Sequence, residues 1–204
     1  MADTNPNTRL EAFSDGVFAI AITLLILDIK IPPTDHILTT SDFWLALGRI
    51  APSIFTFILS FVVILISWVN HHGTLKLIHR SSALFIYANG FLLLTVAFLP
   101  FPTALLGEHI LTDHSAPAVI LYESVLALQA ISWIAICGAA LKDHLQQNER
   151  SAVQLRSNRK FGYYGCIAYS ILAIIAAWFP LAVAIVTAMI WVFWLIFGMN
   201  IREE

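Results

Sequence analysis

Two short clusters place polar and ionisable side chains inside stretches that are otherwise apolar: Arg9-Leu10-Glu11-Ala12-Phe13-Ser14-Asp15-Gly16 and Trp68-Val69-Asn70-His71-His72. A carboxylate, a hydroxyl and two imidazoles can tie helices together, relay protons or ligate a metal. A metal site wants three or four converging ligands, and adjacent histidines on a helix project about 100° apart, so this spacing is weak support for zinc. A relay would run through Asp15, His71 and Glu123 and would suit a proton- or cation-coupled secondary transporter. An enzyme needs a nucleophile with a positioned base or a full ligand set, and the sequence offers neither. That leaves an interhelical lock as the favoured reading of the clusters, with no catalytic residue, no metal and no cofactor expected.

The elements that position these groups follow from composition. With 204 residues, 59% of them hydrophobic and 12% charged, the chain has more apolar surface than a soluble domain of this size can bury, so lipid is its main solvent. A formal charge of −2 without a clustered basic excess excludes nucleic acid as a partner. A hydrocarbon core of about 30 Å takes roughly 20 helical residues to cross. Six runs fit: Leu10 to Ile31, Phe43 to Val69, Ala83 to Leu106, Ala116 to Leu141, Phe161 to Phe179 and Leu181 to Ile201. Pro32-Pro33 ends the first and Pro180 separates the last two, because proline lacks an amide donor and restricts the residue before it. Cys137 and Cys166 lie in apolar runs and read as small buried hydrophobes. The polar start, Met1 to Thr8, lacks the features of a signal peptide, so the first span is expected to remain in the mature chain. No internal duplication stands out, and residues 1–204 read as one all-α membrane domain.

Basic loops resist translocation, so Lys and Arg set the orientation. Of the 11 cations, only Lys30 and Arg49 fall on one side, while Arg9, Lys76, Arg80, Lys142, Arg150, Arg156, Arg159, Lys160 and Arg202 fall on the other. Both termini are therefore expected in the cytoplasm, the membrane being the cell's inner one. The outer side carries Asp28, Asp35, Asp42, Glu108, Asp113 and Glu123, a negative face that would concentrate cations. The polar segment Lys142 to Lys160 is expected to extend two helices into the cytoplasm.

The first span has two faces. At about 100° per residue with Ile20 at 0°, Phe13, Gly16, Thr23, Leu24 and Leu27 fall within roughly 60° and form one stripe. Ser14 and Asp15 fall well off it and point toward other helices. Trp68, His71 and His72 share a face by their three- and four-residue spacing. The second span runs inward as the first runs outward, so His71 or His72 and Asp15 are expected to meet, with Asn89 joining them to satisfy buried donors.

The Arg9, Phe13, Ser14, Asp15 pattern opening the first span, with Trp68 and the histidine pair ending the second, resembles the prokaryotic homologues of the endosomal and lysosomal potassium channel. The resemblance spans the chain in length and helix count. It implies a homotetramer of six-helix subunits around a pore lined by the first helix, with potassium preferred over sodium. The family's constriction of apolar residues and a threonine falls by position on Ile20, Thr23 and Leu27, inside the stripe derived above; ordinary helix packing is the alternative reading of that stripe. An apolar ring can gate by dewetting and a hydroxyl ring can partly replace hydration water. A threonine-valine-glycine-tyrosine-glycine filter does not occur, so moderate selectivity from pore width and Thr23 is expected.

Overall fold

The computed structural model describes residues 7–33 and 37–200, with side chains to 196. The polar start at 1–6, Asp35, and Ile201 with Arg202 at the expected end of the last span lie outside the described residues. Helices run in the order α1 (Thr8–Leu24), a 3-10 turn (Leu25–Asp28), α2 (Thr40–Arg49), α3 (Ala51–Leu75), α4 (Ala83–Phe98), α5 (Pro100–His109), α6 (Ser115–Lys142), α7 (Glu149–Ile175) and α8 (Pro180–Asn200). Four stretches are long and apolar enough to cross a bilayer: Thr8–Asp28, Ala51–Leu75, Ala83–His109 and Ser115–Lys142. The chain is a multi-pass membrane protein.

Where the helices depart from expectation, local chemistry gives the reason. The α-helical part of the first span stops at Leu24 instead of Ile31 and tightens to a 3-10 turn. Just before that point the Thr23 hydroxyl donates to the carbonyls of Ala19 and Ile20, competing with the backbone for acceptors. The second span begins at Ala51 instead of Phe43. Pro52 has no amide to give the carbonyl of Gly48, so the helix breaks at Ile50 and α2 becomes a separate element. In α2 the Thr39 hydroxyl accepts from the Asp42 amide while the Asp42 carboxylate accepts from the Thr39 amide, a reciprocal cap. The third span breaks at Leu99, whose amide turns back to Val96 because Pro100 cannot continue the ladder. Of the polar segment Lys142 to Lys160, expected to extend two helices, α6 takes Lys142 alone and α7 takes the residues from Glu149. It starts at Glu149 with Asn148 accepting from the Ser151 amide, while α6 ends at Lys142.

Phe18 of α1, Ile64 of α3, Leu92 of α4 and Tyr122 of α6 are fully buried members of one core. The sequential pair α6 and α7 packs closely, α3 lies on α5, and α8 rests on α3, α6 and α7. The loop after α3 pairs with the loop after α6: the His79 amide donates to the Leu145 carbonyl and the Gln147 amide to the Leu77 carbonyl. Both cysteines are free, Cys137 buried and Cys166 half-buried.

Gly107 lies where α5 crosses α3. A Cβ there would stand 2.8 Å from Thr56 Oγ1 and 2.9 Å from the Ser53 Cα. Gly107→Ala is therefore expected to cost about 1–3 kcal/mol through overpacking against backbone. Gly138→Ala, whose Cβ meets nothing within 4 Å about one turn before the end of α6, is expected to be neutral or to gain up to about 1 kcal/mol. Melting temperatures of the two purified variants check the contrast.

Candidate permeation site

The first helix is held by hydrogen bonds on one side and bare on the other. The Ser14 hydroxyl donates to the Leu10 carbonyl at 2.8 Å, and Asn89 Nδ2 of α4 donates to Ser14 Oγ at 3.0 Å. His71 Nε2 of α3 lies 2.7 Å from Asn89 Oδ1, so the imidazole is the donor, because an amide oxygen only accepts. All three side chains are buried. The result is one directed chain, from His71 to Asn89 to Ser14 to the backbone of α1. The Phe18 ring lies against His71 with centroids 5.5 Å apart.

Asp15 sits beside this chain with a different partner from the one expected. It accepts from Trp68 Nε1 at 2.8 Å, and neither histidine is hydrogen-bonded to it. His72 stacks on Trp68 and places Nδ1 3.1 Å from Glu11 Oε1. The reason is register: Trp68 and His72 are one turn apart on α3, and so are Glu11 and Asp15 on α1, so the pairs match turn for turn. Glu11 was missed as a member of the site although it sits inside the signature segment. Its spacing to Asp15 was the available signal.

Opposite this anchored face, Phe13 is 64% exposed, Ile20 61%, Leu24 42% and Leu27 72%, whereas Phe18, Ala21 and Leu25 are buried. Thr23 and Gly16 are also exposed on this side. Although Leu27 belongs to the 3-10 turn, three-residue periodicity sets it over Leu24, so it stays on the stripe. The Thr23 proton is spent on the carbonyls of Ala19 and Ile20, which leaves the oxygen lone pairs to face outward. Arg9 is exposed at the helix start.

Glu123 does not belong to the outer charged surface. Two turns into α6, its side chain is buried and accepts from Thr187 Oγ1 of α8 at 2.6 Å. A second buried cluster lies nearby. Thr103 donates to the Leu99 carbonyl, so the 2.7 Å contact with Ser60 makes Ser60 its donor, and Tyr122 in turn donates to Ser60. Ser60, Thr103, Tyr122 and Thr187 were not foreseen as a polar layer; their positions inside apolar helices were the only signal. Glu123, His71 and Asp15 thus have separate partners, and the hydrogen bonds here do not join them into a relay. Among the described residues, no group of three His, Cys, Asp or Glu side chains could hold a metal ion.

At the end expected to face outward the acidic excess shrinks further. Glu108 is ion-paired with Lys30 and, with the hydrogen bond as the main cause, holds the ammonium above the usual lysine range. Asp42 is used by the α2 cap, where the Thr39 hydroxyl and amide hold its carboxyl below the usual carboxylate range. A depressed carboxyl stabilises the folded state above its ordinary titration range and loses that contribution as pH falls through its folded value. The α2 cap therefore persists at neutral pH and is lost only in acid.

Residues 9–100 match the family described as Endosomal/lysosomal potassium channel TMEM175. A potassium channel of Chamaesiphon minutus is 39% identical over 184 residues, covering 88% of this chain and 90% of that protein. One of Streptomyces collinus is 45% identical over 135 residues, covering 63% of this chain and 64% of that one. The crystal structure of a lysosomal potassium-selective channel TMEM175 homologue from Chamaesiphon minutus superposes with a TM-score of 0.77 at 36% identity, covering 92% of this chain and 96% of that one. These are ion channels and not enzymes. The chain belongs to the TMEM175 channel family.

The directed chain sets a testable cost. Ser14→Ala removes the acceptor of Asn89 Nδ2 and leaves a buried donor unpaired, an expected loss of about 1–3 kcal/mol. Asp15→Asn keeps an oxygen for the Trp68 indole on a half-buried edge and is expected to cost less than Ser14→Ala. Thermal unfolding of the two variants gives the order directly.

Proposed function

We propose that this chain is one subunit of a potassium-selective cation channel, a homotetramer in the inner membrane whose pore is lined by α1. Each subunit is a single channel domain over residues 1–204. It crosses the bilayer six times: the four long apolar stretches, α7 from Phe161, and α8, with both termini cytoplasmic. The observation that carries this reading is the bare stripe of Phe13, Ile20, Thr23, Leu24 and Leu27 opposite an anchored face, in a chain of this family. Fourfold repetition around an axis would cover that stripe and turn each of its positions into a ring.

The rings have different work. Ile20, Leu24 and Leu27 present hydrocarbon and impose a dehydration barrier, so a narrow ring of them gates by dewetting. Thr23, with its proton tied back to the helix, offers one oxygen per subunit to a partly dehydrated ion. Potassium sheds water more readily than sodium, so such a ring favours potassium without a full carbonyl cage. Arg9, Phe13, Ser14, Asp15, Trp68, His71, His72 and Asn89 then serve to hold the rings in register. The ligand is the permeant potassium ion, and the partners are lipid and further copies of the chain.

Thr23→Val deletes the oxygens at nearly constant volume, so the potassium-to-sodium permeability ratio is expected to fall with assembly intact. Reversal potentials under bi-ionic conditions measure it; an unchanged ratio would remove Thr23 from selectivity. Ile20→Asn or Leu27→Asn is expected to raise cation conductance by hydrating the constriction. Unaltered currents in both would place the barrier elsewhere.

A further inference from the structure

The outward face of α7 changes character along its length in the order that a bilayer changes. Ile171 and Ile167 are 51% and 58% exposed, Tyr164 and Tyr163 are 54% and 50% exposed, and Lys160 and then Arg156 follow toward the cytoplasm, both exposed. At about 100° per residue all six fall within roughly 60° of Lys160. Leu155, Gly162 and Tyr169 occupy the opposite side and are buried. Gly162 marks how close that side lies to α6, since a Cβ there would meet Ile134 at 2.8 Å.

The heights agree with a lipid. Tyrosines are enriched where hydrocarbon meets headgroups, and at 1.5 Å per residue Lys160 stands about 6 Å and Arg156 about 12 Å beyond Tyr164. The headgroup layer is roughly 5–8 Å deep on each side, so Lys160 stands at phosphate level, and Arg156, just beyond the layer, reaches it when its long side chain turns from Glu149 back along the helix. The Lys160 ammonium lies 5.7 Å from the centre of the Tyr164 ring, which holds it at the interface. Phe161 packs edge-on against Trp194 of α8 at 6.1 Å and extends the aromatic band sideways. Among the described residues, the anion that touches this stripe is Glu149, in an exposed pair with Arg156, and such a pair yields readily to a phosphate.

We propose that this stripe is a binding site for an anionic phospholipid, with its phosphate on Arg156 and Lys160, its glycerol beside Tyr163 and Tyr164, and an acyl chain along Ile167 and Ile171. The site lies on a different helix from the pore stripe and does not depend on which ion permeates.

The purified oligomer in neutral detergent is titrated with phosphatidylglycerol, phosphatidylcholine or inorganic phosphate while its melting temperature is followed. Phosphatidylglycerol is expected to raise the melting temperature saturably, and the other two are not. Arg156→Gln with Lys160→Gln is expected to raise the half-saturating concentration about thirtyfold, since each of the two cations near an anionic surface contributes on the order of 1 kcal/mol. Lys142→Gln with Arg150→Gln removes the same charge away from the stripe and is expected to leave the titration unchanged. Arg156→Lys with Lys160→Arg keeps both charges and is expected to retain the shift, which keeps the test open if the neutral pair folds poorly. An equal response to phosphatidylcholine, a free-phosphate effect of the same size, or a full shift in the neutral pair overturns the site. So does an intersubunit disulfide through Tyr163→Cys or Tyr164→Cys, because the face would then be covered by another copy.

Discussion

A hydrogen-bonding group placed among lipid chains has no water to fall back on, and each one left unpaired costs free energy comparable to a lost bond. The start of α1 carries several such groups, and the protein satisfies them all in one direction. Ser14 turns toward Asn89 and through it toward His71, while Glu11 and Asp15 reach His72 and Trp68 at the end of α3. Because those partners all lie on one side, the rotation of α1 about its axis is set. The stripe of Phe13, Ile20, Thr23 and Leu27 is then forced to face away from its own subunit. In the other half of the bundle Tyr122, Ser60 and Thr103 close on one another, and Thr187 donates to one carboxylate oxygen of Glu123 while Oε2 is buried without a hydrogen-bond partner.

The charges left over divide by side. Toward the outer end, Lys30 and Glu108 neutralise each other, Asp42 serves α2, and Glu123 is withdrawn into the helix packing. What remains is a weaker negative field than the count of carboxylates suggests. At the opposite end, Arg156 and Lys160 of α7 are exposed beside an aromatic band.

Much of this was legible in the sequence because lipid makes patterns simple. The apolar runs that became α6 and α8, the division at Pro180, the two faces of α1 and the meeting of the two polar clusters all follow from composition, helical period and the absence of water. What was not legible depends on backbone detail. Pro52 and Pro100 sit inside runs that look continuous, yet each removes one amide at the turn where the ladder needs it, so one expected span splits from its amphipathic start and another bends. The partner of Asp15 was decided by the relative register of α1 and α3, which no single helix encodes. Glu123 carries a charge in a run of apolar neighbours, and only the arrival of Thr187 from α8 shows that it faces inward.

If α1 lines the pore, its anchored and bare faces have different surroundings, one packed protein and the other the ion path. Single cysteines introduced along α1, in a background with Cys166→Ser, read this directly when a small charged thiol reagent is applied from the aqueous side during current recording. Ile20→Cys, Leu24→Cys and Leu27→Cys are predicted to react and to block current, while Phe18→Cys and Leu25→Cys, which lie on the buried face, are predicted to remain unmodified. Equal reactivity on both faces, or reaction at the Ile20, Leu24 and Leu27 positions without any change in current, would contradict the account.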